Sequence, residues 1–204
     1  MLEVLQAGLE RLDIEAEQSL CSAYIKYIEL LAKWNTAYNL TAVKEPEAML
    51  KRHVLDSLSV HAFIEGEHCL DIGTGPGLPG LILALAQSER QWTLLDSNVK
   101  KTRFLQHVKT QLNISNIEIV HSRAENFQNE SRYSTIICRA FSSLGNFYSV
   151  SQHLLQDKGI LLAMKADISE KEVSEVKGLI KHVEVNELDV PEEASKRCVV
   201  IMND

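Results

Sequence analysis

The chain has 204 residues, with 28 Asp+Glu against 21 Lys+Arg for a net charge of −7, and 45% of it is hydrophobic. That is the make-up of a single globular domain with room for a small appendage, and it excludes a disordered chain, which has too little apolar surface to bury. Nine glycines, four prolines and no internal period exclude collagen-like and repeat architectures.

The first 65 residues predict helices only. Ser19 is placed to cap a run whose apolar positions, Leu20, Tyr24, Tyr27, Ile28, Leu31 and Trp34, fall on one helical face. Pro46 suits the first turn of the next helix, which continues through Met49, Leu50, Val54, Leu55 and Leu58. The longest nearly uninterrupted apolar run, Leu78 to Ala86, falls far short of the about 20 residues that span a bilayer. Met1-Leu2-Glu3-Val4 lacks the basic start of a secretory signal. From His68 onward, short apolar runs alternate with amphipathic stretches. The predicted strands are Cys69–Ile72, Trp92–Leu95, Ile117–Val120, Thr135–Cys138, Ile160–Met164, Val183–Leu188 and Cys198–Met202. Helices are expected from Gly80, from Asn98, around Phe147 to Leu155, and after Ser169, where Ser169 and Glu172 read as a capping box. Strand–helix alternation implies a parallel sheet with helices on both faces, and the last two strands imply an antiparallel hairpin joined through Asp189–Lys196. The expectation is an α/β fold, a doubly wound seven-stranded Rossmann-like sheet spanning 66–204, with an N-terminal helical cap spanning 1–65.

Four cysteines (Cys21, Cys69, Cys138, Cys198) form no Cys-x-x-Cys pair. They predict free thiols in a reducing cytosol, with neither a disulfide framework nor a metal site. Charge is uneven along the chain. Asn98 to Arg123 holds five basic residues (Lys100, Lys101, Arg103, Lys109, Arg123) and one acid, Glu118, whereas Asp167 to Glu193 holds nine acids and three lysines. The first stretch is a candidate polyanion-facing surface, with an ordinary solvated helix face as the alternative.

The sharpest local signal is Leu70-Asp71-Ile72-Gly73-Thr74-Gly75-Pro76-Gly77-Leu78-Pro79-Gly80, between the first strand and the first helix of the sheet. Gly73, Gly75 and Gly77 are spaced unlike a dinucleotide-binding loop, whose third glycine would fall at Leu78. The pattern resembles the first motif of methyltransferases that use S-adenosylmethionine; taken alone, it is equally a turn. Asp96 ends the second strand, 25 positions after Asp71, where an acid faces the ribose of a bound nucleoside or else caps the following helix. Ala124 and Glu125 follow the third strand, where a loop covers a base, or they are simply surface. Arg139 leaves the fourth strand with a fork suited to a carboxylate, a phosphate or a guanine edge, or to an ion pair with a nearby acid.

Lys33-Trp34-Asn35, Tyr38-Asn39-Leu40-Thr41, Arg52-His53-Val54-Leu55-Asp56-Ser57, Asp71 through Gly80, Leu94-Leu95-Asp96-Ser97, Ser122-Arg123-Ala124-Glu125 and Arg139-Ala140-Phe141 occur in this order. Together they closely resemble the glucose-inhibited division protein B family, bacterial methyltransferases that modify a guanine of small-subunit ribosomal RNA at N7, over nearly the whole chain. The resemblance implies that Gly73, Leu78, Ala124, Glu125 and Arg139 contact S-adenosylmethionine and that Asp96 holds its ribose, with Gly75 beside them in the loop. It implies a cytoplasmic enzyme, expected as a monomer, acting on ribosomal RNA free or in an assembling particle.

Guanine N7 carries a free lone pair, so its methylation needs no general base, and no residue is assigned as acid, base or nucleophile. Cys138 reads as an inward strand residue rather than a nucleophile. Arg52 and Asp56, at i, i+4, read either as a surface pair or as substrate contacts; His53 and Ser57 share that ambiguity. Trp34 and Tyr38 read as core or hinge residues, with base stacking the lesser alternative. The competing functions are a non-catalytic cofactor-binding regulator and a methyltransferase for a small metabolite.

Overall fold

A computed structural model of the protein describes residues 1–129, 131–193 and 195–204. Helices α1 (Leu2–Arg11) and α2 (Gln18–Tyr38) come first. α3 (Pro46–Met49) then runs through a π-helical turn at Leu50–Leu55 into α4 (Asp56–Leu58). Pro46 occupies the first turn of α3 as its missing N–H predicts. Ser19 does not cap α2: the helix opens at Gln18 behind Glu17, and the Ser19 hydroxyl donates to the Glu17 carboxylate. The apolar stripe of α2 is buried at Tyr24, Tyr27, Ile28 and Leu31, but Tyr38 is exposed.

The sheet consists of β1 (His68–Ile72), β2 (Gln91–Asp96), β3 (Ile117–His121), β4 (Tyr133–Arg139), β5 (Leu155–Lys165), β6 (His182–Glu187) and β7 (Cys198–Asn203). Its order is β3-β2-β1-β4-β5-β7-β6. The first five strands are parallel, and β7 enters antiparallel between β5 and β6. Every predicted strand is present within a few residues. The crossover helices are α5 (Gly80–Ala86), α6 (Val99–Gln111), α7 (Leu144–Ser151) and α8 (Glu170–Lys177).

Ser169 accepts from the Glu172 amide, which forms half of the predicted capping box. The Glu172 side chain turns away to accept from the Leu144 amide and Lys165 Nζ. The larger core joins the cap to the sheet without a break, from Leu5, Tyr24, Tyr27 and Leu55 to Leu81, Trp92 and Phe104. The chain reverses its order of winding between β1 and β4. In open α/β sheets, the crevice at the carboxyl ends of the strands beside that reversal is where ligands bind.

Candidate active site

At the carboxyl end of β1 the chain turns through Gly73, Gly75 and Gly77 at φ +72°, +62° and +102°, conformations that favour glycine. A Cβ on Gly73 would meet nothing within 4 Å, so an open shelf lies there. The backbone donors of this loop are fully engaged. The Gly73 and Thr74 amides donate to Leu95 O at 2.8 and 3.0 Å, and those of Gly77 and Leu78 donate to Thr74 O at 3.0 and 2.8 Å. The Gly75 amide donates to Asp96 Oδ2 at 2.8 Å and the Gly80 amide to Asp71 Oδ2 at 2.7 Å. Pro76 and Pro79 have no N–H. Glycine loops that bind phosphate work through free N–H groups and an open helix N-terminus. Here no amide from Gly73 to Gly80 is free, and the Asp71 carboxylate occupies the start of α5. Two carboxylates and no free donor suit a neutral or cationic ligand and oppose an anionic one.

Asp71 is fully buried. Burial pushes its carboxyl up to about 6, against the opposing pull of Thr74, the Gly80 amide and Arg139. The Thr74 hydroxyl acts from close by without the geometry of a full hydrogen bond, and Asp71 Oδ1 and Thr74 Oγ1 have no hydrogen-bond partner. Asp96 ends β2, also buried. Its Oδ1 accepts from the Asn98 amide at 2.8 Å, and Lys101 Nζ lies 3.7 Å from its Oδ2. It therefore ties the loop to the start of α6, while the cap of that helix is Asn98, which accepts from the Lys100 amide.

Beyond the ends of β4 and β5 lies a cavity of about 400 Å³, lined among others by His53, Asp56, Arg139, Lys165 and Arg197. Asp56 is its hub. It is 3% exposed and accepts from Arg139 Nη1 and Arg197 Nε, both at 2.8 Å. Arg139 Nη1 also reaches Arg52 O at 3.2 Å. The expected Arg52–Asp56 pair is not formed: Arg52 Nε instead donates to Glu193 at 3.2 Å, because Asp56 faces inward from α4.

Both His53 ring nitrogens are occupied. Arg52 O can only accept, so Nδ1–H donates to it, and Nε2 accepts from the Thr41 hydroxyl at 2.8 Å. Burial, with Arg139 nearby, lowers the His53 pKa to about 4. His53 is thus a neutral staple between the π-helical turn at Leu50–Leu55 and the turn at Thr41. Cys138 is buried with its thiol pushed well above its ordinary value, which removes it as a nucleophile.

The family model for rRNA small subunit methyltransferase G matches residues 20–200. The chain belongs to that family. The ribosomal RNA small subunit methyltransferase G of Photobacterium profundum is 42% identical over 190 residues, covering 93% of this chain and 92% of the relative. That of Nitrosococcus oceani is 41% identical over 197 residues, covering 97% and 92%. The fold is similar to that of a SAM-dependent O-methyltransferase from Thermotoga maritima (TM-score 0.58, 13% identity, 85% of this chain and 71% of that one). It is also similar to a SAM-dependent methyltransferase from Aquifex aeolicus (TM-score 0.56, 16% identity, 76% and 92%).

In this member of the methyltransferase G family, the predicted residues fall into four groups. Gly73, Gly75 and Asp96 share one joint between β1 and β2. Leu78 is 3% exposed and packs in the core, with its amide already engaged. Ala124 and Glu125 start a 3-10 turn after β3, half-buried and exposed respectively. Arg139 stands across the reversal point from the loop, tied to the cap.

The basic surface is narrower than its sequence suggests. Lys100, Arg103 and Arg123 are exposed, but Lys101 leans on Asp96 and Lys109 Nζ donates to Ile117 O at 2.6 Å. Sequence reasoning missed Arg197 and Lys165. Lys165 ends a strand just as Arg139 does, which was the available signal. Arg197 lies between the predicted hairpin connection Asp189–Lys196 and the predicted strand Cys198–Met202, where no local signal marks it.

Proposed function

We propose that the protein transfers a methyl group from S-adenosylmethionine to N7 of a guanine in small-subunit (16S) ribosomal RNA. The observation that carries this reading is the glycine loop with every amide engaged, two buried carboxylates beneath it and an open shelf at Gly73. A nucleoside bearing a sulfonium and an ammonium group fits that environment; a pyrophosphate does not, which also disfavours a nicotinamide cofactor.

In this reading Gly73 and Gly75 bring backbone against the ligand, Asp96 accepts from the ribose hydroxyls, and Ala124 and Glu125 border the base. Leu78 supports the loop from the core side. Arg139 has one nitrogen on Asp56 and the rest of its fork available for the ligand's carboxylate. When bound, the cofactor supplies an activated methyl group by in-line displacement from sulfur, and the lone pair of N7 forms the new bond. No residue of the chain has to take a proton. Its side chains supply alignment, which can lower such a barrier by roughly 7–11 kcal/mol.

The cavity around Asp56 is the place for the guanine. An arginine fork spanning O6 and N7 would block the attacking lone pair; by engaging Nε of Arg197, Asp56 turns that arginine towards a single contact at O6 or phosphate. We read 1–65 as the cap that closes this cavity and 66–204 as the methyltransferase domain, working as a monomer in the cytosol, where ribosomal particles form. No helix among the described residues is long and apolar enough to cross a membrane.

Titration calorimetry with S-adenosylmethionine and its demethylated product, together with nucleoside mass mapping of small-subunit RNA treated with the enzyme, tests the assignment. Binding of both compounds and a single new 7-methylguanosine are expected. Binding without transfer would instead indicate a cofactor-sensing regulator.

A further inference from the structure

Three rings form a ladder between α2 and α6. The Tyr38 ring lies 5.2 Å from that of Trp34 at 34°, and the Trp34 ring lies 5.3 Å from that of His107 at 36°. Phe104 meets Trp34 edge-on at 5.6 Å and anchors it to the core. The last rung is open: Tyr38 is 44% exposed, beyond a stripe that is buried at Tyr24, Tyr27, Ile28 and Leu31 and partly buried at Trp34. A single exposed aromatic needs no explanation, but this one is held in place by a second, partly buried ring, and its surroundings are unusual for a chain of charge −7. Leu30 to Lys44 holds Lys33 and Lys44 and no acid; Val99 to Gln111 holds Lys100, Lys101, Arg103 and Lys109 and no acid. Lys33, Lys100 and Arg103 are exposed, and the ion pairs among the described residues include none of them. Lys100, Arg103 and His107 follow one another at helical spacing, so one stripe runs from the start of α6, beside Asp96, to the ring ladder.

We propose that the open face of Tyr38 stacks an unpaired base of the RNA substrate while Lys33, Lys100 and Arg103 take its flanking phosphates. This deepens the RNA-methylating reading and rests on it. Every base has a π face, so a rigid ring flanked by cations grips single-stranded RNA without demanding a sequence. The grip would hold the strand while the target guanine is delivered to the cavity.

The test is direct binding of fluorescein-labelled small-subunit RNA, naked and as the small-subunit particle, to the full-length protein and to Tyr38→Ala, Tyr38→Leu and Tyr38→Phe. Loss of one base stack predicts a roughly 5- to 150-fold rise in Kd for Ala and Leu. Tyr38→Phe should bind as the parent does. In methyl transfer, KM should rise by the same factor with kcat unchanged, and cofactor affinity should not move. Arg103→Gln should lower the slope of log K against log salt by about one phosphate contact. Unchanged Kd in Tyr38→Ala overturns the proposal, as does a loss seen equally in Tyr38→Phe, or a loss confined to the particle, which would place a ribosomal protein on this face. Binding is read independently of turnover, so a parent enzyme that bound RNA without methylating it would count against the catalytic reading alone.

Discussion

The Gly80 amide stands 2.7 Å from Asp71 Oδ2, and a Cβ on Gly80 would stand 2.6 Å from the Cβ of Asp71 and 2.6 Å from Leu94 Cδ2. One residue thus sets how closely α5 can approach β1 and β2. Gly80→Ala is expected to destabilise the fold by about 1–3 kcal/mol through overpacking and to weaken cofactor binding by shifting the loop above Asp71. Urea unfolding and calorimetry on the same variant check both. Gly73→Ala should separate the effects: its Cβ meets no atom but stands at a φ of +72° on the shelf itself, so cofactor affinity should fall more than stability.

Asp56 joins three parts of the chain that are distant in sequence: its own α4, Arg139 at the end of β4 and Arg197 just before β7. Asp56→Ala leaves two neighbouring guanidiniums without the carboxylate they share, each keeping one backbone acceptor, Arg52 O for Arg139 and Lys196 O for Arg197. Both arginines keep 22% of their side-chain surface exposed, so solvent recovers part of the loss. The cost should fall below the roughly 3–5 kcal/mol seen on breaking a fully buried pair. Denaturant titration of Asp56→Ala, Arg197→Met and the double variant closes a cycle, and a coupling near zero would show that the pair contributes nothing to stability.

Lys100 and Lys101 are neighbours in sequence but face different surroundings. Lys101 Nζ lies 3.7 Å from Asp96 Oδ2, whereas Lys100 is exposed. Lys100→Glu should weaken RNA binding and leave cofactor affinity alone. Lys101→Glu sets two carboxylates against each other at the proposed ribose site and should alter cofactor affinity as well. A variant carrying both changes cannot therefore isolate the RNA surface; calorimetry on the two single variants does.

The sheet was legible in advance because β1 to β5 are short apolar runs separated by amphipathic helices, and that alternation leaves few topologies. The glycine loop and Asp96 were legible because turn chemistry is local. The cavity was not. Asp56, Arg139 and Arg197 meet from positions 83 and 141 residues away from Asp56, and no spacing rule relates them. For the same reason Arg52 and Asp56 read as an i, i+4 pair: a period places side chains on a helix but does not tell which face is buried. The π-helical turn at Leu50–Leu55 was also hidden, since its apolar spacing fits an α-helix equally well. Tyr38 continues the periodic stripe of α2, which by itself implies core or hinge, because periodicity cannot show where the neighbouring helix stops covering it.

Cofactor binding is expected to depend on pH, because burial raises the pKa of Asp71 beneath the glycine loop. A folded pKa of about 6, against an unfolded value near 3.9, means the folded chain holds this proton more tightly. Asp71 therefore contributes stability that is complete below pH 4 and is lost as pH rises through 6. His53, with its pKa lowered to about 4, works in the opposite direction: its contribution is present above pH 6.5 and is lost as pH falls. The two overlap in the same window, so a stability curve would not resolve Asp71. Cofactor affinity does. A cationic ligand favours the ionised carboxylate, so affinity should rise from pH 5 to pH 7 by up to about tenfold per unit below the pKa and then level off. Asp96 and Arg139 also act on Asp71, from β2 and β4, and both are present in the parent and in the variant alike. Asp71→Asn keeps an acceptor for the Gly80 amide and should give a weaker, flat affinity across pH 5–7 by calorimetry. An unchanged slope in that variant would assign the titration to another group.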